Sequence, residues 1–192
     1  GNNFVYVAKE ADQKKALQII LNAKTDKISA CNALDKVLIN RDLPGYKEFV
    51  SGLIENLQKY KVQVLGTQRM ESFEGVELIS EDAVWYEEFL DFKILMGDVV
   101  SNVEAIAMIN KFGGGHSASI ITENESEANT FMSSIDAAAV YHNASTRFTD
   151  GFQFGLGGEL AISTDKLHQR GPIGLQHLVT NKWYVYGEGQ IR

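Results

Sequence analysis

One cysteine, four histidines and a hydroxyl-rich loop carry most of the reactive chemistry this sequence can offer. Cys31 stands in Ile28-Ser-Ala-Cys-Asn-Ala33, between a helix-patterned segment and a strand-patterned one. That places it on a βα-type connection at a sheet edge, where reactive groups collect. An unperturbed thiol, with a pKa of about 8.5, is only a few per cent thiolate near neutrality, and nearby amide dipoles would raise that share. An inert buried thiol is the competing reading, since free cysteine is among the most buried residue types. The histidines are His116, His142, His168 and His177. No pair has H-x-x-x-H spacing, so no metal site is expected. A Cys–His hydrolase would need one of them to touch Cys31, which spacing cannot show.

The run Asn143-Ala-Ser-Thr-Arg-Phe-Thr-Asp-Gly151 follows a strand-like segment, is rich in short donors and carries one arginine. Such a loop suits a carboxylate or phosphate, held through hydroxyls, backbone amides and a forked guanidinium. It equally suits a loop that only caps itself. Gly155-Leu-Gly-Gly158 lacks the third glycine and the helix stripe of a dinucleotide fingerprint. Gly113-Gly-Gly115 follows a helix instead of a strand. Both read as turns.

The elements that position these groups alternate. Phe4–Val7 reads as a buried strand, and Ala16, Ile19, Ile20 and Ala23 form the stripe of a helix. Val37–Ile39 is a second strand, followed by a helix facing inward with Phe49, Val50, Leu53, Ile54 and Leu57. Val62 and Val64 alternate as in a half-buried strand, a short strand is expected at Val76–Ile79, and Phe92–Val100 is another. Ser101 and Glu104 form a capping box opening a helix that should bury Val103, Ile106, Ala107 and Asn110 and stop at Gly113–Gly115. Ser119–Ile121, a second box at Thr122 and Glu125, a helix striped by Ala128, Phe131, Met132 and Ile135, and a strand at Ala138–Tyr141 complete the series. Strands separated by helices imply crossovers and a mostly parallel sheet, an α/β domain over about residues 1–142. Beyond it, residues 151–192 hold 8 of the 17 glycines and end in the aromatic run Lys182-Trp-Tyr-Val-Tyr186, a strand with no partner in sequence.

Composition narrows the classes. The 192 residues suit one large domain or a domain with an appendage. They are 44% hydrophobic and 22% charged, which excludes disorder. The formal charge of -7 argues against nucleic acid, whose phosphates demand a cationic face. No apolar run approaches the roughly 20 residues of a membrane span. A single cysteine fits a reducing cytoplasm.

Several motifs then stand in a familiar order: Asn22-Ala-Lys-Thr25, Ser29-Ala-Cys-Asn-Ala-Leu34, Asn143 to Gly151, Phe154-Gly-Leu-Gly157, Ile162-Ser-Thr164, Leu167-His-Gln-Arg-Gly-Pro172 and Gly187-Glu-Gly-Gln-Ile-Arg192. From end to end the chain resembles the carboxyl-terminal half of the gamma-glutamyl phosphate reductases, also called glutamate-5-semialdehyde dehydrogenases, of proline biosynthesis. The resemblance implies an aldehyde-dehydrogenase-like catalytic domain over residues 1–145. Residues 146–180 would return toward a nucleotide-binding domain absent from this chain, and the strand in 181–192 would join subunits into a homo-oligomer. It further implies that Cys31 attacks the acyl phosphate to form a thioester, which NADPH reduces, with the Cys31 amide a candidate oxyanion donor. Glu88 and Phe89 would contact the nicotinamide ribose. Asn143, Ser145, Thr146 and Arg147 would line the substrate pocket, Arg147 taking the glutamyl carboxylate or the phosphate. His168 and Arg170 are further candidates for substrate. Where the family has Cys-His after Gly-Asn, this chain has Asn3-Phe4, and His142 replaces a small apolar residue. The missing nucleotide-binding half leaves a second reading open, a binding or assembly module that keeps the fold without catalysis, and implies that this half does not turn over alone.

Overall fold

Alternate residues of the first strand go to opposite cores, and that division organises the whole molecule. In the computed structural model, which describes every residue but Leu167 of the Leu167–Pro172 motif, seven strands form one parallel sheet. These are β1 (Asn3–Val7), β2 (Leu34–Asn40), β3 (Gln63–Gly66), β4 (Val76–Leu78), β5 (Lys93–Val99), β6 (Ser117–Ile121) and β7 (Ala139–His142). Their spatial order is β4-β3-β5-β2-β1-β6-β7. Val5 and Val7 face α1 (Gln13–Thr25) and α2 (Tyr46–Lys59); Phe4 and Tyr6 face α3 (Asn102–Phe112) and α4 (Glu125–Ser134). A sheet covered on both faces requires apolar side chains at consecutive positions, which is why β1 and β6 read as short unbroken runs. A small antiparallel pair, β8 (Leu160–Ile162) with β9 (Gly171–Ile173), follows.

Both helix-opening boxes differ in detail from the expected ones. Ser101 Oγ does accept from the Glu104 amide, but the Glu104 carboxylate takes the Val100 amide at 2.7 Å. The second box moves by two residues. Asn124 is the cap for the Glu127 amide, and Thr122 Oγ1 donates to the Glu127 carboxylate. Asparagine caps as well as threonine does, so composition left the position open. The α3 stripe is also corrected. Ala105, Ile109 and Phe112 are buried, whereas Val103 is 75% exposed and Ala107 and Asn110 face outward. Apolar residues lie all round this helix, so its phase was undetermined until the sheet chose a face. Met132 likewise turns outward from α4. At the helix end, Gly113 has φ −65°, and the left-handed residue is Gly115 at φ +70°.

Residues 181–192 form neither helix nor strand, and Trp183, Tyr184, Val185 and Tyr186 are exposed. A strand exists only through its partner's hydrogen bonds, and the described residues of this chain offer none there. No helix among the described residues is long and apolar enough to cross a membrane.

Trp85 is the keystone of the second core. Its ring stacks on Phe4 and Phe112, with centroids 6.1 and 5.9 Å away, and its edge lies over Gly97 of β5. A methyl group at Gly97 would sit 2.9 Å from the indole, which cannot retreat without leaving both stacks. Gly97→Ala should therefore destabilise the chain by about 1–3 kcal/mol, the usual cost of overpacking. Urea unfolding followed by near-ultraviolet circular dichroism would measure this; an unchanged midpoint would contradict the packing argument.

Candidate functional site at the amino ends of the strands

Cys31 sits in the connection from α1 into β2, which puts it at the amino ends of the strands. The βα-type position expected from sequence is thus corrected to an αβ one: ligand crevices of open parallel sheets usually form at carboxyl ends, and this thiol lies opposite. Asn3, the first residue of β1, holds the loop. Its Nδ2 donates to the carbonyls of Cys31 and Ala33 at 2.7 Å and also approaches that of Gly1. Its Oδ1 accepts from the Ser117 amide at the head of β6. Three strand starts are thereby tied to one buried amide.

The half-buried thiol faces a cavity of about 260 Å³. Gly1, Gly114 and His116 form its floor, and Ala161 to Thr164, at the end of β8, form its roof. Burial, and secondarily the Glu159 carboxylate, push the Cys31 thiol up from its ordinary pKa. This is the reverse of the amide-dipole activation expected from sequence. His116 is 2% exposed; its Nδ1 is 2.5 Å from Ser163 Oγ, and its Nε2 has no partner among the described residues. Burial pushes its pKa down to about 4, so the ring is neutral near pH 7. Among the described residues no histidine hydrogen-bonds Cys31, so the geometry lends the hydrolase reading no support. No group of three or more His, Cys, Asp or Glu among them could hold a metal ion.

The other candidates divide. Glu88 does not line this cavity itself, but its carboxylate contacts the amino-terminal nitrogen of Gly1, which does. Phe89 is buried beneath it, its ring under the Lys36 ammonium. Thr146 and Arg147 come close by docking on Asn32, the neighbour of Cys31: Thr146 Oγ1 donates to the Asn32 carbonyl, and Asn32 Nδ2 donates to the carbonyls of Arg147 and Thr149. The guanidinium of Arg147 turns away, to Asp26 at 3.0 Å and to Asn32 Oδ1, and lines a separate cavity with Asn22, Phe148 and Gln153. Ser145 caps the following turn by accepting from the Arg147 amide. Asn143 lies at the opposite end of the sheet, where its amide clamps both backbone groups of Thr122 at φ +53°. Arg170 braces the cavity roof from behind, bonding the Ser163 carbonyl and Asp136. The left-handed backbone at Gly115, φ +70°, favours glycine, and a Cβ there would also push the Arg170 guanidinium, 2.5 Å away. His168 is exposed and bonds the His177 carbonyl.

Sequence reasoning passed over Asn32 and Ser163, and named His116 only as one of four histidines that could touch Cys31. A histidine at the head of an apolar strand, directly after three glycines, was the available signal for His116. Asn32 and Ser163 carried none, because their partners are distant in sequence.

Comparison with known proteins agrees with this architecture. A model of the aldehyde dehydrogenase family matches residues 94–183. Over its full length the chain is 45% identical to the gamma-glutamyl phosphate reductase of Dictyoglomus thermophilum. The crystal structure of gamma-glutamyl phosphate reductase from Thermotoga maritima superimposes with a TM-score of 0.92 at 45% identity, covering 100% of this chain and 46% of that one. The fold is that of the aldehyde dehydrogenases. An acetylating aldehyde dehydrogenase from Geobacillus thermoglucosidasius shares this aldehyde dehydrogenase fold at 19% identity and a TM-score of 0.67, covering 100% of this chain and 52% of that one. The chain spans about half the length, 46%, of the curated relatives it matches.

Two outcomes follow from the buried groups. Alkylation of Cys31 followed against pH should show a midpoint above that of a free thiol, and Glu159→Gln should bring it down; a midpoint at or below the free value would contradict the site electrostatics. Since the pKa of His116 falls from 6.5 to about 4 on folding, its stabilising contribution is whole above pH 6.5 and is lost as pH drops toward 4. The loss at the acid limit is roughly 3 kcal/mol. His116→Gln should flatten this acid limb in urea unfolding at pH 7 and pH 4.5, and an unchanged slope would refute it.

Proposed function

We propose that the chain is the catalytic half of an NADPH-dependent gamma-glutamyl phosphate reductase, which makes glutamate-5-semialdehyde and phosphate and cannot turn over by itself. The observation that carries this reading is a lone half-buried cysteine facing a cavity, in a chain 45% identical throughout to proteins of that name. The Cys31 thiolate attacks the acyl carbon of gamma-glutamyl phosphate, the carbon–oxygen bond to phosphate breaks, and a thioester remains. A thioester suits reduction, because sulfur donates weakly into the carbonyl and leaves its carbon electrophilic. The bound cofactor would supply the hydride. The hemithioacetal then loses its proton and expels the thiolate, releasing the aldehyde. The backbone amide of Cys31 is our candidate donor to the oxyanion of both tetrahedral species.

Glu88 fits a ribose contact: its carboxylate is 38% exposed and meets Gly1 at the cavity floor. A carboxylate there would accept from ribose hydroxyls, with Phe89 holding the backbone beneath. For Arg147, Thr146 and Ser145 the proposal is a substrate loop whose guanidinium is held by Asp26 until a carboxylate or phosphate competes for it. We further propose that the exposed 181–192 segment pairs with a neighbouring subunit in a homo-oligomer, and that the protein works in the reducing cytoplasm. The exposed aromatic residues there also favour the second reading, an assembly module without catalysis.

Kinetics of the full-length protein separate the two. Cys31→Ser should lower reductase activity by about three orders of magnitude or more while leaving the assembly intact. Activity retained in that variant would end the thioester reading.

A further inference from the structure

Two charged side chains on β2 are buried, and the chemistry above uses neither. Asp35 and Lys36 follow closely after Cys31 and leave the strand on alternate sides, 2% and 0% exposed. Both reach the segment that leads into β5. Asp35 Oδ2 accepts from the Phe89 amide at 3.3 Å, while Oδ1 meets the equally buried Lys24 ammonium at 3.3 Å. Lys36 Nζ donates to the Glu87 carbonyl at 2.7 Å and lies 3.6 Å from the centre of the Phe89 ring. The residues on either side of Glu88 are therefore gripped from the strand that carries the nucleophile loop, one by its carbonyl and the other by its amide and ring. The Glu88 carboxylate between them is directed to the Gly1 nitrogen, beside the cavity that Cys31 lines.

Desolvating three charges is unfavourable, and these contacts are what make it tolerable. A carbonyl and an aromatic face are both ligands for a cation, so the grip on Glu87 and Phe89 needs a protonated Lys36. We propose that Asp35 and Lys36 are positioning residues that set the place of Glu88 relative to Cys31, and so govern cofactor affinity more than the chemical step. This rests on the role of Glu88 proposed above.

The groups facing this ammonium and its partners are Lys24 on α1, Asp35 on β2, Glu87, Glu88 and Asp91 on the gripped segment, and Lys93 at the head of β5. Burial brings the Lys36 pKa down to about 8. The grip thus weakens as pH rises through that value.

Steady-state kinetics of the full-length protein test the proposal. Lys36→Met should raise KM for the nicotinamide cofactor about tenfold with kcat changed less than about twofold, and Lys36→Arg should restore most of the loss. In the parent the same KM should climb above about pH 8, a limb that Lys36→Arg removes. Because the effect passes through Glu88, adding Lys36→Met to Glu88→Gln should cost little more than Glu88→Gln alone. Additive losses, or a fall in kcat at constant KM, would overturn the proposal. Should circular dichroism show Lys36→Met unfolded, Asp35→Asn and the pH limb of Lys36→Arg carry the same comparison. Glu88→Gln without effect on cofactor KM would remove the reading beneath the proposal. An effective Glu88→Gln beside a silent Lys36→Met would overturn the proposal alone.

Discussion

A buried amide with distant partners is the constraint from which the site follows. Asn3 joins the Cys31 loop to the start of β6, and its groups have no access to water, so each must be satisfied by protein. Losing any one contact would leave a polar atom unpaired in a low-dielectric interior, which costs far more than the bond gains when formed. Asn2 reinforces the arrangement by donating to the carbonyls of Trp85 and Phe112. The same few residues therefore place the thiol, the head of β6 with His116, and the indole that fills the second core.

Partial burial is the main influence opposing ionisation of the thiol, with Glu159 next and Glu88 a weaker contributor. An ordinary exposed cysteine would be more reactive in this chain. A thiol kept largely protonated is shielded from oxidation, which acts on the thiolate.

Much of the architecture was legible beforehand. The strands around Val5, Val37, Ile94 and Ile120 and the stripe Phe49, Val50, Leu53, Ile54 and Leu57 lie where apolar periodicity puts them, because burial on both sheet faces leaves few alternatives. Helix phase and caps were less legible. Val103 and Ala105 are both apolar, and only contact with the sheet selects between them. The motif Asn143 to Gly151 was recognisable as one unit, yet it runs from one end of the sheet to the other, so Asn143 and Arg147 serve different places.

The order of apolar and polar residues, by itself, determined a parallel α/β sheet and a single thiol in a connection beside it, since local periodicity and chain order are written in adjacent residues. Tertiary structure decided which end of the sheet the thiol occupies, that His116 and Ser163 stand near it, and that Lys24, Asp35 and Lys36 are charges inside the fold. These depend on contacts between residues far apart in the chain, where hydrogen bonding and desolvation act over ångströms and sequence separation carries no information about distance.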